Sequence, residues 1–192
     1  MDDLLFNRDQ SVLAVIDVQD VFLAKLAPEA RAPLLGRIVW LIRVARALDI
    51  PVIAMGEDIA RNGPPMAGVM DALAADTAVF DKRVFGLAGQ DDLRAAVLAT
   101  GRAQAVLVGL ETDVCVAQSA LGLIGAGLRV AAIRDATGSP GADHAAGLDR
   151  MRAAGVTITT AKGIYYEWLR DLETLACIKP LVGAAKPDDL IL

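Results

Sequence analysis

Histidine is nearly missing from this chain: among 192 residues, His144 stands alone. Its scarcity removes most metal chemistry built on imidazole, and no catalytic metal or other cofactor is expected. Cysteine is scarce as well. Cys115 and Cys177 lie far apart without CxxC spacing, which excludes both a disulfide framework and a zinc motif. Basic residues number 19 against 24 acidic ones and are scattered, so the chain carries no electrostatic footprint for nucleic acid. Every apolar run is interrupted by a charge or a Pro before it reaches membrane-spanning length, so no membrane partner is expected. The opening MDDLLFNRDQ has no basic stretch leading into an apolar one, does not read as a secretion signal, and makes the cytoplasm the expected location.

What remains is apolar and alternating. Hydrophobic residues make up 55% and charged ones 22%, enough for one full-sized core, and the length fits one domain over residues 1–192. The runs SVLAVIDV, PVIAM, TAVF, QAVLVGL, LRVAAIRDA and VTITTA read as strands. Helical spacing falls between them, over Pro33–Leu48, Asp91–Thr100, Val116–Ile124, Ala142–Ala154 and Tyr165–Cys177. Such alternation predicts an α/β fold: a doubly wound, mostly parallel six-stranded sheet with helices on both faces, Rossmann-like in its three layers. The stretch ARNGPPMAGVM reads as a loop, and a C-terminal arm is expected from about residue 179. A mean hydropathy of +0.45 and the apolar tip of that arm point to a homodimer or larger homo-oligomer.

In an open parallel sheet, ligands gather outside the carboxyl ends of the strands. Asp17 closes VLAVID, Lys82 follows TAVFD, and Cys115 opens the helix after AVLVGLETDV. Each has an ordinary use alone: Asp17 as a cap, Lys82 as a solvated loop residue, Cys115 as a small core filler. Together they form a chemically coherent set. Thr112 or Asp113 as N-cap would put the sulfur at a helix N-terminus, Lys82 would add a cation, and both lower a thiol pKa. Asp17 could take the thiol proton and return it to a leaving amine, best if desolvation raises it above its free value.

The segments VIDVQDVF, FDKRVFG and GLETDVCVAQSA, followed by DATGSPGADHAAGLDRMRAAGVTITT, resemble the isochorismatase-like cysteine hydrolase superfamily over nearly the whole chain. The resemblance implies an Asp17, Lys82, Cys115 triad and a cis peptide at Leu110–Glu111. That bond would turn the Glu111 amide toward the Cys115 amide, the two forming an oxyanion hole. Relatives that hydrolyse nicotinamide hold a metal through Asp and His residues, and no His lies between the first strand and Cys115 here. Relatives acting on the vinyl ether isochorismate often have Gly at the nucleophile's place, whereas this chain has Cys. The expected activity is hydrolysis of a small amide, ureide or related C–N bond through an acyl-enzyme. The alternatives are a redox-responsive or ligand-binding domain that uses a reactive Cys115, and vinyl-ether hydrolysis. Phe22, Glu57 and Phe85 are candidate pocket walls, His144 a packing or capping residue, and Cys177 a core residue.

Overall fold

The computed structural model describes residues 3–192. Six strands form one sheet: β1 (Ser11–Ile16), β2 (Val52–Glu57), β3 (Val79–Lys82), β4 (Gln104–Leu110), β5 (Arg129–Gly138) and β6 (Thr157–Thr159). Their order is β3-β2-β1-β4-β5-β6, and every adjacent pair is parallel. The direction of winding reverses between β1 and β4, where such sheets open a crevice at the strands' carboxyl ends.

Alternation along the strands divides the core. Leu13 and Val15 of β1, with Val106, Val108, Ala131 and Ile133, pack against Ile38, Leu41 and Ile42 of α2 (Pro28–Ala47) and against Ile164 and Trp168 of α8 (Ala161–Leu169). On the other face, Val12, Ala14, Ile16, Ala105 and Leu107 meet Leu93 and Val97 of α5 (Asp91–Ala99), Ala120 and Leu123 of α6 (Ala117–Gly125), and Met151 of α7 (Asp143–Ala153). All six residues of β1 are buried, as a strand covered on both faces requires. Each large apolar side chain taken fully from water contributes about 1.5–3 kcal/mol to this core.

Local differences from the sequence reading have physical causes. The helix expected from Pro33 begins at Pro28, which occupies the first turn, where a missing N–H costs little, and continues through Pro33. Residues expected as a loop around Asn62 contain two short helices, α3 (Ile59–Asn62) and α4 (Ala67–Ala72), separated by the Gly63 and Pro64 turn. The single helix expected over Tyr165–Cys177 is two, because Arg170 turns to φ 69° and the Asp171 side chain caps a new helix, α9 (Leu172–Val182), by accepting the Thr174 amide at 2.7 Å. Neither Gly nor Pro marks that break. Cys177 lies exposed on α9 instead of in the core. Residue 179 also falls inside α9, and the chain leaves helical structure only after Ala185.

One glycine is obligatory at the centre. Gly109 adopts φ 122°, and a Cβ there would run into the Ile16 carbonyl, so only Gly lets β4 pass β1 at this level.

Candidate active site

The first four strands in spatial order deliver one group each to the same edge. β1 ends at Ile16, and Asp17 follows with φ 49°, its side chain fully buried. Glu57 is the last residue of β2, paired in register with Lys82, the last residue of β3. β4 leads through the cis Leu110–Glu111 peptide into a π-helical turn, Thr112–Val116, that carries Cys115 and continues as α6.

Lys82 is the hub. Its Nζ lies 3.0 Å from Asp17 Oδ2, 3.3 Å from Glu57 Oε2, 2.7 Å from the Val84 carbonyl and 3.7 Å from Cys115 Sγ, all with the lysine fully buried. Cys115 is 3% exposed, and its thiol donates toward Glu57 Oε2 at 3.5 Å. Beyond the ion pair with Lys82, neither Asp17 carboxylate oxygen has a hydrogen-bond partner among the described residues. Buried polar atoms left open in this way are rare, and these are two acceptors next to a thiol.

Burial sets the protonation of the cluster. Desolvation pushes the Asp17 carboxyl up to about 6, against the pull of Lys82. Burial pulls the Lys82 ammonium down, but Asp17 first, then Cys115 and Glu57, more than reverse this and hold it above the usual lysine value. The Cys115 thiol is pushed well above its ordinary value, first by burial and then by Asp17, with Lys82 opposing. This overturns the expectation of a thiol lowered by a helix N-terminus and a cation. The position preceding the turn belongs to Glu111, not Thr112 or Asp113, and two carboxylates face the sulfur with one cation between them. Burial and the two carboxylates thus favour the protonated thiol.

Asp17, Glu57 and Cys115 bring their polar atoms within 4.8 Å of one another, a spacing a metal ion could bridge. Lys82 Nζ sits among the three and already supplies the positive charge there.

Residues that the sequence reading passed over hold this arrangement. Gln19, fully buried, accepts the Glu57 amide at 2.7 Å and donates to the Glu57 and Gly63 carbonyls at 3.0 and 2.6 Å. Thr112 Oγ1 lies 2.8 Å from His144 Nδ1, and Ser139 donates to Asp113 at 2.6 Å, tying the nucleophile turn to the segment after β5. The packing role expected of His144 is thus a bond to the turn itself; burial and Arg134 lower its pKa. Gly147 lets α7 approach, since a Cβ there would lie 2.6 Å from the Asp113 Cα. A buried Gln two residues after a strand-end Asp could have drawn notice; the distant His and Gly contacts leave no local signal.

The three pocket candidates separate. Glu57 and Phe85 line a cavity of about 160 Å³ together with Asp58, Lys82, Arg83 and Val84, Phe85 being largely exposed. Phe22 packs into the α2 side of the core instead, with the Lys25 ammonium 4.8 Å over its ring. The Glu111 side chain, also paired with Lys25 at 2.9 Å, sits beside it.

Both the sequence and the fold are similar to those of known proteins. The family model described as Isochorismatase domain covers residues 11–163. Isochorismatase domain-containing protein 1 of Danio rerio is 34% identical over 134 residues, 69% of this chain and 47% of that protein, so the chain spans about half of that relative's length. Among solved structures, the YcaC gene product of Escherichia coli, described as an octameric hydrolase of unknown specificity, superposes with a TM-score of 0.83 at 22% identity, covering 96% of this chain and 94% of its own. YcaC from Pseudomonas aeruginosa, solved with hexane-2,5-diol and covalent acrylamide, gives the same TM-score of 0.83 and 22% identity over 96% and 95% of the two chains. With four-fifths of its length inside the family model, the chain belongs to the isochorismatase family.

Proposed function

We propose that this protein is a cysteine-dependent hydrolase of a small amide, ureide or related C–N bond, with Asp17, Lys82 and Cys115 as its catalytic triad. One observation carries the reading: a buried thiol stands beside a buried carboxylate that, apart from its ion pair with Lys82, has no hydrogen-bond partner among the described residues and can accept a proton. As the sulfur attacks the substrate carbonyl carbon and the S–C bond forms, the thiol proton passes to Asp17. Lys82 balances the charge that arrives. The backbone amides of Glu111 and Cys115 are the donors assigned to the developing oxyanion. Asp17 then gives its proton to the nitrogen, the C–N bond breaks, and an amine or ammonia leaves a thioester on Cys115. Water attacks that thioester, passes a proton through Asp17 to the departing sulfur, and releases the acid.

A carboxyl near 6 suits both directions of this transfer, being mostly ionised at neutral pH yet readily protonated. The covalent acrylamide in the Pseudomonas aeruginosa YcaC structure agrees with the reading. The redox alternative is weakened by the raised thiol, because peroxide reacts with the thiolate. Leu172, Leu181 and Ile191, all largely exposed near the C-terminus, support self-association, as does the octameric state described for Escherichia coli YcaC. No helix among the described residues is long and apolar enough to cross a membrane.

A screen of small amides and ureides with ammonia release as readout tests the proposal. The wild type should turn over at least one, and Cys115→Ala none. Equal release by both proteins, or none from any compound by the wild type, would overturn it.

A further inference from the structure

Glu57 has no part in the proton transfers just described, yet it is the charged group of the cluster that faces the cavity. Its side chain is 21% exposed, whereas those of Asp17 and Lys82 are 0% exposed. Its backbone is fixed on both sides by the Gln19 carboxamide and by the register of β2 with β3. The other charges lining the cavity are already engaged. Lys82 is spent on Asp17, Glu57 and the Val84 carbonyl, and Arg83 is paired with Asp58. Glu57 Oε2 receives Lys82 and the thiol, which leaves Oε1 to a ligand. An ionised carboxylate only accepts hydrogen bonds, so the ligand must bring the donor.

Distance narrows which donor. An amide nitrogen lies about 1.33 Å from its carbonyl carbon. With a carbonyl carbon held about 3–3.5 Å from the sulfur, as attack requires, a C–N bond turned toward Glu57, whose Oε2 is 3.5 Å from Cys115 Sγ, brings the nitrogen within hydrogen-bond range of that carboxylate. A substrate carboxylate at the same point would meet Glu57 and Asp17 with Lys82 already shared between them, a like-charge contact that disfavours binding.

We infer that Glu57 is the specificity-determining residue of this site: its carboxylate receives the N–H of an uncharged primary amide or ureide and turns away ligands that present a carboxylate to Cys115. The inference rests on the proposed role of Cys115 and adds the class of substrate.

The test uses three small electrophiles that share a propenoyl group, at whose β-carbon a thiol adds: acrylamide, N,N-dimethylacrylamide and acrylate. Each is incubated with the intact protein, and alkylation of Cys115 is followed by peptide mass spectrometry relative to the exposed Cys177 in the same sample, which cancels intrinsic reactivity. In the wild type, acrylamide should be favoured at least tenfold over each of the others. In Glu57→Gln the discrimination against acrylate should shrink at least fivefold, because the repelling charge is gone. Equal normalised rates in the wild type would overturn the inference, as would a Glu57→Gln protein that still rejects acrylate fully. Should the variant fail to fold, the wild-type ratios alone decide. If none of the three alkylates Cys115, the nucleophile reading itself falls, a failure distinct from alkylation without discrimination.

Discussion

The two edges of the sheet each present a cysteine among charges. At the carboxyl edge, Cys115 is 3% exposed, with Lys82, Asp17 and Glu57 around its sulfur. At the amino edge, where Asp9, Asp49 and Arg102 precede β1, β2 and β4, Cys177 is exposed in a shallow hollow that also includes Arg8 and Glu173. Charged neighbours are therefore common to both. What differs is water: buried charges interact through a low effective dielectric, whereas exposed ones are screened. Burial moves the Asp17 carboxyl up to about 6 and pushes the Cys115 thiol well above its ordinary value, so the carboxyl edge holds buried groups with shifted proton affinities where the amino edge has an exposed cysteine.

The contrast is broken most severely by removing the sulfur. Cys115→Ala should lower turnover by roughly 10⁴-fold or more while preserving the circular dichroism spectrum, as loss of a nucleophile does; Cys177→Ala should leave turnover within about twofold, since an exposed side chain outside the site contributes little. Parallel steady-state assays of the two variants would show it.

Stability should divide the edges next. Lys82→Met leaves Asp17 fully buried and without its cation, and breaking a buried pair in this way costs about 3–5 kcal/mol in chemical denaturation. Glu173→Ala, at an exposed position of the amino edge, should stay within about 0.5 kcal/mol.

The pH dependence sharpens the account of Asp17. In the proposed mechanism its carboxylate is the proton acceptor, and its value lies above the usual 3.8. Lowering the pH through about 6 removes the working form, so kcat/KM should fall about tenfold per unit below that point. Asp17→Asn should lose most activity and, in what remains, this acidic limb.

The smallest effect belongs to the support. Thr112→Val deletes the 2.8 Å bond to His144 and should cost about 1 kcal/mol of stability with a several-fold loss in turnover. An unchanged rate would mean that α6 packing alone holds the nucleophile turn.

These distinctions were unevenly legible in the sequence. The sheet was, because Val- and Ile-rich runs alternating with helical spacing leave few topologies, and the strand-end positions of Asp17, Lys82 and Cys115 follow from that topology. The protonation of the site was not. Residue order gives the thiol its neighbours, but only the packed structure shows that Lys82 is shared by two carboxylates and that Asp17 is fully buried. The α8 to α9 break escaped notice because Arg170, not Gly, takes the left-handed conformation. The exposure of Cys177 was missed as well, because its apolar neighbours in sequence do not say which face of α9 meets the core.

The central claim is that Cys115 attacks a carbonyl carbon as Asp17 takes its proton. Quenching the wild type in acid during turnover of a slow amide, followed by peptide mass spectrometry of both cysteines, tests this directly. The account predicts a transient mass increase equal to the acyl group on the Cys115 peptide, none on the Cys177 peptide, and none on either in Asp17→Asn. Amine release without any acyl mass on Cys115, or equal labelling of the two cysteines, would contradict it.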